Sequence, residues 1–201
     1  MKEILFNYPK YAEIDGKKYK INTDYKIGIK CNEISLDESI SIEEKVMAII
    51  YLLFGEEALK DIRHYEQFME KAYYFLNCGK VDEIKDTNKE PDMDLVQDFP
   101  YIVTSFRSDY NGFDLTKEEI HWWDFYYMLT GLSQSELGNS CILNRIRDLR
   151  NLDLNKISDP KERERLRKAK EKFALKKREK KKEYTQEEIK AMEEYHKLVG
   201  D

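Results

Sequence analysis

Glycine and proline are scarce in this sequence, eight and four in 201 residues. That argues against a loop-rich β-sandwich and for long helices. Long apolar runs are missing as well. The longest, Val46 to Phe54, is nine residues, against the roughly 20 needed to cross a bilayer. The N-terminal stretch has neither the apolar core nor the small-residue cleavage site of a signal peptide, so a cytosolic protein is expected. Cysteine is limited to Cys31, Cys78 and Cys141. These are far apart, odd in number and match no common zinc spacing, which predicts reduced structural thiols and no metal. A glycine-rich phosphate loop and a nucleophile elbow are also lacking, so an enzyme is the weakest functional class and no cofactor is expected.

What is present is charge and aromatic side chains. Charged residues make up 37% of the chain and aromatics 12%. The net charge of −5 hides an asymmetry: Lys161 to Lys182 holds thirteen Lys/Arg and four Glu, a local +9 that leaves −14 on the rest. An acidic body joined to a basic arm suggests self-contact, an acidic partner or a polyanion. The organisation read from this is a helical body over residues 1–158 and a basic, solvated helical arm with a terminal helix over 159–201.

The fold class expected is mainly α with a small N-terminal β-hairpin. Tyr11 to Ile21 reads as the hairpin, turned at Asp15-Gly16, two residues that adopt positive φ readily. Asn22 to Ser35 reads as a helix capped by Asn22 or Thr23 and weakened by Gly28. Ser41 to Phe54 carries a capping box, Ser41 with Glu44, and an apolar face of Val46, Ile49, Ile50 and Leu53. A helical turn over Ala58–Ile62 and a helix over Tyr65–Asn77 follow. Lys80 to Asp92 is polar and reads as a surface loop. Further helices are expected over Asp98–Tyr110 with Asp98 as cap, over Thr116–Thr130 with a Thr116/Glu119 capping box, and over Asn139–Asn151. In the last of these, Ile142, Leu143, Ile146 and Leu149 point inward and Arg145, Asp148 and Arg150 outward. A frayed basic helix over Lys161–Glu183 and a capped helix over Thr185–Leu198 end the chain.

The segment from Asp98 to Leu154 holds the strongest functional signal. Trp122, Trp123, Tyr126 and Tyr127 crowd one helix, and Arg145 and Arg147 follow on the next. Tyr, Trp and Arg dominate the energetics of protein interfaces, so these six are the candidate partner-binding residues. The competing reading buries the tryptophans, which are about 100° apart on a helix and cannot share one narrow face. His121 reads as structural: no nucleophile neighbours it. Glu118, Glu119 and Asp124 read as helix-start acids that complement the dipole. In the basic arm, Arg163, Arg167, Lys168 and Lys170 are candidates for contact with an acidic partner or a polyanion. Aromatics are few there and the body is acidic, so a solvated helix or one docked on an acidic partner is preferred to nucleic-acid binding.

Between Asp98 and Lys172 the run D-F-P-Y-I…S-F…D-Y is followed by H-W-W-D-F, R-I-R-D-L, D-L-N-K-I-S-D and R…R-K-A-K. This combination resembles a family of small proteins encoded beside the tape-measure gene in long-tailed phages of Gram-positive bacteria. The N-terminal half is similar in outline, and residues 183–201 have no counterpart. The resemblance implies a non-enzymatic tail-assembly chaperone with no catalytic residues. Such a protein would bind the tape-measure protein and/or tail-tube subunits during assembly in the host cytoplasm and would be absent from the mature virion. A wide apolar helix surface also invites self-association into rings or filaments. No membrane contact is expected. The alternative is a nucleic-acid-binding accessory protein that uses the basic arm.

Overall fold

The computed structural model describes residues 8–80, 91–134 and 140–177. Within them lie two strands, β1 (Tyr11–Ile14) and β2 (Lys17–Lys20), and eight α-helices. The helices are α1 (Tyr25–Leu36), α2 (Ile42–Phe54), α3 (Glu56–Lys60), α4 (Tyr65–Leu76), α5 (Phe99–Asp109), α6 (Trp122–Thr130), α7 (Ile142–Asn151) and α8 (Pro160–Lys172). The protein is therefore mainly helical with a small N-terminal hairpin. No helix among the described residues is long and apolar enough to cross a membrane.

The hairpin turns where the sequence predicts. Asp15 and Gly16 have φ of 49° and 76°, and Tyr11 pairs with Lys20 across the ladder. An isolated hairpin with four paired residues per strand would not stand alone. The hairpin is held because Ala12, Ile14 and Tyr19 face inward onto α4, with the Tyr19 ring edge-on to Phe68 at 4.9 Å. The α2 capping box is also present, Ser41 Oγ accepting from Glu44 N–H and Glu44 accepting from Ser41 N–H. α2 then buries Ile49, Ile50, Leu53 and Phe54 between α1 and α4.

Several boundaries fall elsewhere than the sequence predicts. α1 starts three residues later than expected, capped by the Asp24 carboxylate and not by Asn22 or Thr23. α6 starts at Trp122, and the expected Thr116/Glu119 box does not form. Thr116 instead bonds Asp114 through both its N–H and its hydroxyl. The reason is a tertiary pairing. Asp24 and His121 form an isolated antiparallel bridge in which Trp122 N–H donates to Thr23 C=O at 2.7 Å and Tyr25 N–H donates to Ile120 C=O at 3.1 Å. His121 is thereby held extended, with φ −66° and ψ 143°, and α1 and α6 both spring from this bridge.

α5 spans Phe99–Asp109, with Pro100 in its first turn, and ends before Asn111-Gly112, both at positive φ. Asp98 precedes it but makes no capping bond. α7 begins at Ile142; its expected start, Asn139, lies outside the described residues. Its first-turn Leu143 N–H finds an acceptor on another helix, the buried Ser105 hydroxyl of α5. α8 is capped by Asp159 with Pro160 at its first position. It stops at Lys172, about ten residues before the expected end. The expected joint at Lys80–Asp92 and helix at Thr185–Leu198 fall mostly or wholly outside the described residues.

Candidate functional site

The aromatic helix α6 is the centre of the core. Phe125 is fully buried and stacks on Tyr25 at 5.2 Å, on Trp122 at 5.5 Å and on Phe106 at 5.8 Å. Three helices, α1, α5 and α6, thus meet through one ring. The wide apolar surface of α6 is accounted for by packing on two sides.

Both tryptophans are core residues, 4% and 1% exposed for Trp122 and Trp123. Their indole N–H groups do the same job on adjacent carbonyls. Trp122 Nε1 donates to Leu76 C=O at 2.9 Å and Trp123 Nε1 to Phe75 C=O at 2.7 Å. The last carbonyls of a helix have no partner within it. Two consecutive indoles therefore cap the C-terminus of α4 from the side, and adjacent positions on α6 suit them because adjacent carbonyls need donors.

His121 is the N-cap of α6, its Nδ1 accepting from Trp123 N–H at 3.0 Å. The acceptor role requires neutral imidazole with the proton on Nε2. Burial lowers its pKa, with the Pro9 carbonyl and Asp124 acting in the opposite direction. An open groove of about 860 Å3 runs beside it, lined by Ile27, Tyr51, Ile120 and neighbours. The basic nitrogen that could work there is occupied by the helix cap. Asp124 sits in the first turn of α6 and accepts from the Tyr8 hydroxyl at 2.9 Å. Burial first, and this carboxylate second, push Tyr8 up to about 12. Glu118 and Glu119 lie before the helix and not in its first turn. Burial pushes the Cys31 and Cys78 thiols up to about 12, so both are inert packing groups.

Tyr126 and Tyr127 are placed differently from the tryptophans. Tyr127 is exposed and Tyr126 half-buried, their rings edge to face at 6.1 Å. Lys80 Nζ lies 5.1 Å from the Tyr126 ring centre. Tyr74, on α4, is exposed and lies across Gly79, its ring 6.2 Å from that of Trp123. Tyr74, Tyr126 and Tyr127 thus border the Cys78-Gly79-Lys80 turn as a tyrosine face, backed by the buried tryptophans. Tyr74 carried no signal that set it apart from other helix tyrosines in the sequence.

The arginines do not join this face. α7 packs chiefly on α5. Arg145 is exposed beside Thr104, Ser108 and Asp109. Arg147 holds Asp92 through Nε at 3.2 Å and through its terminal nitrogen at 3.3 Å, and also bonds Asn144. The residue that matters most here is Arg150, which points inward, not outward. It makes two bonds of 2.7 Å to Asp98, a carboxylate 1% exposed, and reaches the carbonyls of Asp92 and Phe173 as well. The helical phase contained this signal. Leu143, Ile146 and Arg150 lie at i, i+3 and i+7 and share a face.

In the arm, Arg163 donates to the Ile157 carbonyl, Arg167 pairs with Glu164 and Glu171, Lys168 pairs with Glu164, and Lys170 donates to the Leu152 carbonyl. Of the seven cations of α8, Arg165, Arg167 and Lys168 pair with its three glutamates and Arg163 and Lys170 rest on neutral carbonyls, so the helix keeps a net positive charge.

The family described as Bacteriophage Gp15 protein matches the chain over residues 7–175. Comparison with curated proteins and with solved structures finds no match.

Proposed function

The chain belongs to the bacteriophage Gp15 protein family, and from that premise we infer that it is a non-enzymatic tail-assembly chaperone whose partner is the tape-measure protein. Tail-tube subunits are the second candidate client. The tyrosine face at the α4–α6 junction carries this reading. Tyrosine supplies large contact area with little conformational entropy to lose. At Tyr74, Tyr126 and Tyr127 that area stands on two helices whose relative position is fixed by the indole bonds beneath. A long helical, apolar client presents the complementary surface: side chains at i, i+3, i+4 and i+7 laid across exposed rings. The proposed place of action is the host cytoplasm during assembly, with the protein absent from the finished particle.

The contact residues are accordingly Tyr126 and Tyr127 with Tyr74, while Trp122 and Trp123 support them from within. Arg145, exposed on α7, is left as a rim contact. The ion pairs of Arg167 and Lys168 and the carbonyl bonds of Arg163 and Lys170 weigh against phosphate gripping by these four side chains, because those ties would have to break first.

The test is co-expression with the tape-measure protein of the same gene cluster and capture of the complex at moderate salt. A soluble complex is expected, and Tyr74→Ala with Tyr127→Ala should reduce recovery at least tenfold while leaving the melting temperature unchanged. No complex, together with a salt-sensitive shift of DNA or RNA, would replace this reading with nucleic-acid binding by the basic arm.

A further inference from the structure

The groove beside the start of α6 combines an apolar floor with an acidic rim. It lies between the exit of the hairpin, the N-terminus of α1, the C-terminal end of α2 and residues 119–121, and measures about 860 Å3. Ile27, Leu52 and Ile120 line it half-buried, and Tyr51 lines it while 53% exposed. Met47, also exposed, lies one turn before Tyr51 on the same face of α2 and extends the apolar surface along the helix.

The backbone around this groove is already paired. Asn22 N–H donates to Leu53 C=O, Trp122 N–H to Thr23 C=O and Tyr25 N–H to Ile120 C=O. Strand addition therefore finds little to bond with, and what the groove offers is side chains. Their charge is one-sided: Asp24, Glu56 and Glu119 stand against Lys20, and the cap leaves His121 neutral. Asp24 is committed to the N-terminus of α1. Glu56 and Glu119 are exposed, and neither pairs with a cation among the described residues. α2 ends in the groove with no basic residue in its last turn, so the negative end of its dipole adds to these carboxylates.

We propose that this groove is a second docking site, whose occupant is a cationic amphipathic helix of a partner protein. The helix lays its apolar stripe on Ile27, Tyr51, Leu52 and Ile120, and the Lys or Arg residues flanking that stripe reach Glu56 and Glu119. No ion pair of either carboxylate has to break for this. The Tyr51 ring offers a further face to a cation. The floor supplies contact area and the rim selects the sign of the partner, because an acidic helix with the same apolar stripe meets like charge. None of Tyr74, Tyr126 and Tyr127 lines this groove, and the inference stands whatever the client of the tyrosine face is.

Fluorescence anisotropy of the full chain with two labelled peptides tests it. Both have about 14 residues, the length at which an isolated helix begins to hold, with leucine at helical spacing. One carries lysine at the remaining positions and the other glutamate. At moderate salt the lysine peptide should bind about tenfold more tightly than the glutamate peptide. Tyr51→Ala, and separately Glu56→Lys with Glu119→Lys, should each weaken it about tenfold. Glu13→Lys with Glu66→Lys, the same change of charge outside the groove, should alter it less than about twofold. If the groove charge variant loses its melting transition, Glu56→Gln with Glu119→Gln replaces it, with a loss of about threefold expected. Equal weakening by the two charge variants would leave only the diffuse field of an acidic body and would overturn the proposal. So would lysine-peptide binding no tighter than about 1 mM. Binding lost in Tyr74→Ala with Tyr127→Ala but kept in Tyr51→Ala would also overturn it, by placing the peptide on the tyrosine face.

Discussion

The Trp122 ring lies flat against the backbone of α1 at Gly28, so closely that a methyl group there would sit 2.1 Å from Cε3 and 2.3 Å from Cδ2 of the indole. Gly28 is buried within the helix. Its conformation is one any residue adopts, and what demands glycine is the approach of the ring. Helix propensity alone would favour alanine at this position by about 1 kcal/mol. Overpacking against a rigid ring costs about 1–3 kcal/mol or more and should win. Gly28→Ala is expected to lower stability by about 2 kcal/mol net. The penalty should shrink sharply in a Trp122→Ala background, where the ring is gone. Chemical denaturation of the four proteins checks this, and equal penalties in both backgrounds would contradict the contact.

Trp123 tests the division between core and contact. Trp123→Ala removes a fully buried ring and should cost about 3–5 kcal/mol. Trp123→Phe keeps most of the volume and deletes only the donor to the Phe75 carbonyl, which also accepts from Cys78 N–H. About 1 kcal/mol is expected for that change, with client binding unaltered. Lost binding at unchanged stability would make the ring a contact residue after all.

Arg150 and Asp98 form a buried, two-bond ion pair between α7 and the entry to α5. Removing one partner leaves an uncompensated buried charge, and Asp98→Ala should cost about 3–5 kcal/mol. Replacing both, Asp98→Leu with Arg150→Met, should recover only part of that stability, because Asp94 N–H and the Asp92 carbonyl also lose their partners. The double variant should also hold residues 173–176 less tightly, because Phe173 C=O loses its donor. Limited proteolysis near residue 173 reads the second effect and thermal melts read the first.

His121 gives the fold a pH dependence. Its pKa is depressed in the folded protein, so the unfolded chain takes up a proton first as pH falls. The contribution is full above the ordinary imidazole value of 6.5 and is lost as pH drops from there through the lower folded value. His121→Asn keeps a side-chain acceptor at the cap without the titration. Wild-type stability should fall between pH 7 and 5 more steeply than that of this variant, as followed by urea midpoints.

Local chemistry was legible in the sequence. The Asp15-Gly16 turn and the Ser41/Glu44 box lie where short-range preferences put them, because each involves residues a few positions apart. The apolar faces of α2, α4 and α5 were legible for the same reason. Tertiary structure decided the rest. The Thr116/Glu119 signal lost to a β-bridge between Asp24 and His121, 97 positions apart in sequence, which holds His121 extended so that the helix starts only after it. Gly28 looked like a weakness of α1 until an indole packed on it, and Asp98 looked like a cap until Arg150 arrived from 52 residues away. Aromatic crowding in α6 marked an important helix, but its periodicity could not tell a ring that caps another helix from one that faces solvent. That distinction depends on which neighbour covers each face, a property of the packed whole.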